Sequence, residues 1–227
     1  MIELEGVRHG ILDIPSLAIA PGSTAVIGLN GSGKTTFLRL LAGIRRPAQG
    51  TVKIDSQDPG DLDVGWVDEY PDRNFLFGRV ADEIASPLRF RKCSCGEIRQ
   101  KVEEAAGSCG ISSLADRQTS ALSGGEKALV ALATALVMSP PLLVLDETDS
   151  HLDAESTDRM ARIIRDLPAR YKVWCTQDME MAATAGQVIL LCSGAVACYG
   201  TPDEVFSGIS ERCMVPLSWR LARAAHH

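Results

Sequence analysis

Aromatic side chains supply only 5% of the 227 residues, and no apolar run is long enough to cross a bilayer. The longest, Ala128 to Met138, falls well short of the roughly 20 residues a spanning helix needs and is interrupted by Thr134. Positive charge is not in excess either. With 23 Lys and Arg against 29 Asp and Glu, the net charge of −6 argues against a general nucleic-acid binder, because little is left over to neutralise phosphates. No basic, apolar leader precedes the alternating residues Ile2-Glu3-Leu4, so no secretion signal is expected. Repeats and low-complexity linkers are missing. Cysteine is present, at positions 93, 95, 109, 175, 192, 198 and 213, but an odd count of seven without a leader does not describe a disulfide framework. Cys93-Ser94-Cys95 has no second pair at zinc-finger spacing, and Cys175, Cys192 and Cys198 lie in apolar segments and read as small buried hydrophobes. A reducing cytosol is the expected compartment.

What is present is ordinary in bulk and specific in detail. Hydrophobic residues at 45% and charged residues at 23% suit one globular domain with a sizeable core. The specific part is Gly28-Leu29-Asn30-Gly31-Ser32-Gly33-Lys34-Thr35-Thr36, which follows an apolar strand candidate (Thr24 to Ile27) and opens a helical run (Thr35 to Ala42). It matches G-x-x-x-x-G-K-[ST] in the setting that pattern requires. Glycines let the backbone wrap closely, so that N–H groups of Asn30 to Thr36 and the positive helix end cradle a polyphosphate. Lys34 then reaches the β- and γ-phosphates, and the Thr35 hydroxyl ligates Mg²⁺. A nucleoside triphosphate is the expected ligand.

Downstream, strands alternate with helices, which indicates a parallel sheet covered on both faces. Short alternating runs at Ile2-Glu3-Leu4, Leu17-Ala18-Ile19 and Thr51 to Ile54 surround the phosphate loop. From about 70 to 122 the chain is more polar, contains Pro71 and Pro87, and reads as an inserted helical lobe. The run Leu142-Leu143-Val144-Leu145-Asp146-Glu147 reads as a buried strand delivering two carboxylates at its end: Asp146 to hold Mg²⁺, Glu147 to orient or deprotonate water. In Leu122-Ser123-Gly124-Gly125-Glu126, Ser123 and Glu126 form a capping box for the helix that follows. The Ser123-Gly124-Gly125 first turn also offers bare N–H groups to an anion. One chain cannot readily aim two such helix ends at one γ-phosphate, so the second is expected from another subunit.

The order of phosphate loop, Leu-Ser-Gly-Gly-Glu, Leu-Leu-Val-Leu-Asp-Glu and Ser150-His151-Leu152-Asp153 resembles the ATP-binding cassette ATPases over nearly the whole chain. Gly200 to Phe206 is similar to that family's closing helix. The resemblance implies an α/β P-loop NTPase fold: a mainly parallel sheet, a small antiparallel β subdomain and an inserted helical subdomain, in one domain spanning 1–227. It also implies ATP and Mg²⁺ as ligands and a head-to-tail pair of cassettes, this chain with itself or a relative, with residues 150–153 (the D-loop) at the interface. Transmembrane transporter subunits are the implied partners, on the inner face of the cell membrane. His9 falls near the family's adenine-stacking aromatic, with Arg8 as its rival. The stretch Glu69 to Phe77 resembles energy-coupling-factor uptake systems. A soluble cassette acting in iron–sulfur cluster assembly is the alternative function.

Two residues depart from the pattern. Glu69 stands at the Q-loop glutamine position, where a carboxylate can ligate Mg²⁺ but adds negative charge beside the triphosphate. Gln177 stands at the switch-histidine position, where it can donate a hydrogen bond but not carry a proton. Thr148 replaces a usual proline, and Glu126 a common glutamine. Nucleotide binding and pairing with hydrolysis slower than the family norm are expected.

Overall fold

The computed structural model describes residues 1–209 and 214–224. It divides into two compact units, the first comprising residues 1–62 and 170–227 and the second 63–169.

In the first unit, β1 (Ile2–His9) and β2 (Leu12–Ile19) form a regular antiparallel hairpin, and the register of β1 against its other neighbour shifts between Glu5 and Arg8. Alternation does the work here: Ile2, Leu4, Val7, Leu12, Ile14, Leu17 and Ile19 are buried while their neighbours face out. Pro15 is tolerated because β2 is an edge strand, where a missing N–H breaks no inner ladder. β3 (Gly22–Ile27) leads through the phosphate loop into α1 (Lys34–Leu41), and β4 (Gln49–Ile54) returns to complete the sheet β2-β1-β4.

The second unit begins with β5 (Val64–Val67), followed by α2 (Val80–Phe90), α3 (Cys95–Ser108) and α4 (Gly124–Leu136). β6 (Leu142–Asp146), buried at all five positions, pairs in parallel with β5, and α5 (Ala154–Asp166) closes the unit. α2 continues through Pro87, with the chain resuming at an Arg91 N–H donation to the Pro87 carbonyl. α2 also carries a residue that sequence reasoning did not single out. Glu83, 3% exposed, accepts from the Leu76 and Phe77 N–H groups at 2.8 and 2.7 Å and so fixes the loop entering the helix.

Back in the first unit are β7 (Tyr171–Cys175), α6 (Met179–Ala183), β8 (Gln187–Cys192), β9 (Ala195–Gly200), α7 (Pro202–Gly208) and α8 (Leu217–Ala224). β3 lies between β7 and β8, parallel to both, and β9 adds an antiparallel edge. Residues 24–27 of β3 are therefore buried on both faces, as the apolar run Ala25-Val26-Ile27 requires. Mostly parallel strands, a small antiparallel sheet and flanking helices make this the P-loop α/β fold expected from the sequence.

The cysteines divide differently from expectation. Cys175 is buried, but Cys192 is exposed and Cys198 half-buried, because both sit on the β8–β9 hairpin at the sheet edge. Cys213 lies outside the described residues. Cys109 is fully buried, and burial pushes its thiol up to about 12, which leaves it inert at neutral pH. No helix among the described residues is long and apolar enough to cross a membrane.

Candidate functional site

The phosphate loop is built from backbone that only glycine accepts. Gly28 has φ +153°, and a Cβ there would stand 2.3 Å from the Leu191 carbonyl oxygen and 2.7 Å from Ser32 Oγ. Gly33, at φ +103°, caps α1 with no side chain, so the first N–H groups of the helix have no capping partner from that residue. Ser32 Oγ is buried with no hydrogen-bond partner among the described residues. A glycine cradle, an uncapped helix start and an orphaned buried hydroxyl are what a phosphate chain would complete.

Lys34 is 5% exposed and donates from Nζ to the Gly28 carbonyl at 3.0 Å, which folds the ammonium back over the loop. Thr35 and Thr36 are half-buried at the start of α1, while Asn30 and Gly31 are exposed at the tip.

The loop is also braced from a distance in sequence. Gly194, in the β8–β9 turn at φ +85°, donates its N–H to the Ser32 carbonyl at 3.0 Å, and its own carbonyl accepts from Asp13 N–H at 3.0 Å. A Cβ at 194 would lie 1.8 Å from the Ile11 carbonyl oxygen. Sequence reasoning missed this brace because it links residues 162 positions apart; its only local trace is the Ser-Gly pair of a tight turn. We expect Gly194→Ala to weaken ATP binding about tenfold or more and to lower stability by about 1–3 kcal/mol, as strain at a left-handed position does. Nucleotide titration and chemical unfolding of the same sample check both.

Two further candidates lie in this unit. His9 ends β1 half-buried, its Nδ1 lacking a hydrogen-bond partner among the described residues, whereas Arg8 is exposed and paired with Asp13 at 3.3 Å. Gln177 is exposed after β7, and Asp178 beside it caps α6 by accepting from the Glu180 and Met181 N–H groups at 2.8 and 3.1 Å.

The second unit holds the carboxylates. Asp146, 5% exposed, ends β6, and Glu147 follows with φ +48°, a left-handed conformation rare for a side-chain-bearing residue. Such strain concentrates where function fixes the backbone. Ser150 N–H returns to the Glu147 carbonyl at 3.1 Å, and Asp153 caps α5 by accepting from Ser156 N–H at 2.8 Å, which holds its carboxyl below the usual range.

Ser123 and Glu126 form the expected reciprocal capping box, at 3.2 and 2.8 Å, with Arg117 3.3 Å from Glu126. A Cβ at Gly124 would meet nothing within 4 Å, so crowding within the chain does not demand glycine there. Glu69 lies after β5, 40% exposed at its side chain, with Oε1 3.5 Å from His151 Nε2. Among the described residues no group of three or more His, Cys, Asp or Glu side chains is arranged to hold a metal ion.

A protein-family model described as "ABC transporter" matches residues 12–150. The chain is 37% identical over 203 residues to the biotin transport ATP-binding protein BioM of Rhizobium etli, covering 86% of this chain and 90% of that protein. It is 34% identical to the energy-coupling factor transporter ATP-binding protein EcfA1 of Lacticaseibacillus paracasei, covering 89% of this chain and 77% of that one. Among solved structures it is similar to cbiO1 from Clostridium perfringens, part of the ABC transporter complex cbiONQ, with a TM-score of 0.85 at 26% identity over 91% of this chain and 90% of that chain.

Proposed function

This chain belongs to the ABC transporter family of nucleotide-binding ATPases, and from that premise we propose that it powers membrane uptake through an energy-coupling-factor type of assembly. It binds ATP, pairs head to tail with a second cassette, and hydrolyses ATP while attached to transmembrane subunits at the cytoplasmic face. The observation that carries this reading is the combination of a complete phosphate cradle with a second helix start, at α4, whose Gly124 has open space in front of it. Glycine without internal crowding is explained when a ligand held by another chain approaches the backbone there.

In this reading Asn30 to Thr36 wrap the phosphates and Lys34 neutralises them. His9 stacks on the base. Ser123, Gly124 and Gly125 present their N–H groups to the nucleotide of the partner cassette. Mg²⁺ brought with the nucleotide would be held by Thr35 and Asp146 and would screen the phosphate charge. Glu69 is a further carboxylate ligand for it. Glu147 orients the attacking water and takes its proton, and Gln177 donates a hydrogen bond to the terminal phosphate.

Steady-state ATP hydrolysis across a range of protein concentrations tests the reading, with turnover per chain rising as copies pair. Turnover that never depends on concentration and never responds to transmembrane subunits would overturn it. A chain that binds ATP but turns over only with a second, different cassette identifies the pair as heteromeric.

Gln177 sets the rate. A neutral amide holds the terminal phosphate less firmly than an imidazolium, and single electrostatic donors are worth about 10²–10³ in turnover elsewhere. Gln177→His is therefore expected to raise turnover by at least about tenfold with ATP affinity nearly unchanged. A variant no faster than wild type would show that Glu69 and Gln177 already compensate for one another.

A further inference from the structure

The loop after β5 and the loop after β6 are joined by a side-chain contact that the proposed function leaves unused. Glu69 Oε1 lies 3.5 Å from His151 Nε2, and the same carboxylate beside Tyr70 raises that phenol above its ordinary range. The Tyr70 ring packs on the His151 imidazole with centroids 4.6 Å apart, and the Arg73 guanidinium lies 4.1 Å from the Tyr70 centroid. Each of the two loops is braced by hydrogen bonds of its own. Asn74 Nδ2 donates to Asp68 Oδ2 at 3.0 Å across the first loop. In the second, Ser150 and Leu152 N–H groups bond back to the Glu147 and Asp149 carbonyls at 3.1 and 3.0 Å.

The side chains of His151 and Glu69 are 53% and 40% exposed, so the pair adds little to stability. Its effect is positional. It joins the carboxylate proposed to face the metal to the loop that the family resemblance places between paired cassettes.

We propose that His151 is a positioning residue for Glu69, and that drawing Glu69 onto the Mg²⁺–nucleotide releases the 150–153 loop. The release rests on the functional reading above, whereas the contact does not. Carboxylate, imidazole and metal then compete, and linkage makes the competition reciprocal: whatever factor His151 costs metal binding, metal binding costs the His151 contact. A glutamine at 69 could not be contested in this way, because it carries no charge for either partner. The unusual Glu69 and the histidine of Ser150-His151-Leu152-Asp153 thus act as one device.

Histidine-selective NMR of the full chain tests this, since only four histidines (9, 151, 226 and 227) contribute signals. Without nucleotide, Glu69→Gln is expected to shift the His151 ring resonance and leave His9 in place. Adding Mg²⁺ with a non-hydrolysable ATP analogue moves the wild-type His151 signal towards its position in Glu69→Gln, and moves it little in that variant. His151→Ala raises the apparent Mg²⁺ affinity at fixed analogue by about 1.5- to 5-fold, the range of an exposed ion pair, and does so only when Glu69 is present.

A His151 signal indifferent to Glu69→Gln overturns the contact. Equal effects of His151→Ala in both backgrounds overturn the positioning role. A wild type that binds no analogue sinks the functional reading and the release with it, while the nucleotide-free shift still judges the contact.

Discussion

Glu147→Gln lowers ATP turnover by about 10²–10⁴-fold, the usual worth of a positioned general base, while ATP still binds and the paired state accumulates. The amide keeps the shape of the carboxylate and loses its ability to take a proton. The variant should fold as wild type does, because glutamine can occupy the left-handed φ of +48° at about the same cost. Turnover, nucleotide affinity and size-exclusion profile measured on one preparation separate chemistry from binding. A variant that binds ATP poorly, or that turns over as fast as wild type, would remove Glu147 from the catalytic role.

The second large effect falls on binding. Lys34→Ala weakens ATP binding by about 2–5 kcal/mol, or roughly 30-fold to several-thousand-fold, since it deletes a nearly buried cation that the proposed function sets against the phosphates. It also strips the Gly28 carbonyl of the donor now 3.0 Å away. Lys34→Arg is not expected to restore affinity, because a planar guanidinium does not fit where a compact ammonium folds back over the loop. Equilibrium titration with a fluorescent ATP analogue measures both variants. Near-wild-type affinity in Lys34→Ala would move phosphate recognition onto the backbone alone.

The parts of the fold legible in the sequence are those whose cause is local. The buried strand Leu142–Asp146 announces itself by five consecutive core positions, and the start of α4 by the Ser123–Glu126 spacing. The phosphate loop is legible for the same reason, since the Ser32 N–H bond to the Leu29 carbonyl and the Lys34 bond to the Gly28 carbonyl are local, while Ile11, Leu12, Leu191 and Gly194 approach from far along the chain.

What escaped is non-local. α2 runs through Pro87, where the buried side chains Ile84, Ala85 and Leu88 outweigh the lost hydrogen bond and the crowding by the ring, a balance that no local pattern displays. α8 gives little sign in the sequence; its start is fixed by Ser218, whose N–H and hydroxyl donate to Glu180 at 2.9 and 2.7 Å across 38 positions. Burial pushes that carboxyl up, but these donations outweigh it and hold Glu180 below its ordinary range. Glu69 and Gln177 were legible as departures. What they touch was not, and the His151 contact of Glu69 needed coordinates.

The three tryptophans give this chain an optical reporter of its own. Trp174 is 2% exposed in β7, with no hydrogen-bond partner for Nε1 among the described residues. Trp66 is half-buried in β5, and Trp219 packs edge-on against Phe206 at 5.4 Å. Trp174 should therefore emit at the shortest wavelength of the three and resist aqueous quenchers, while Trp66 and Trp219 emit from wetter surroundings. Trp66 stands three residues before Glu69, and Trp174 three residues before Gln177. The two strands that lead to the unusual side chains each carry a fluorophore, so nucleotide arrival can be followed by intrinsic emission, and single Trp→Phe replacements tell which strand responds.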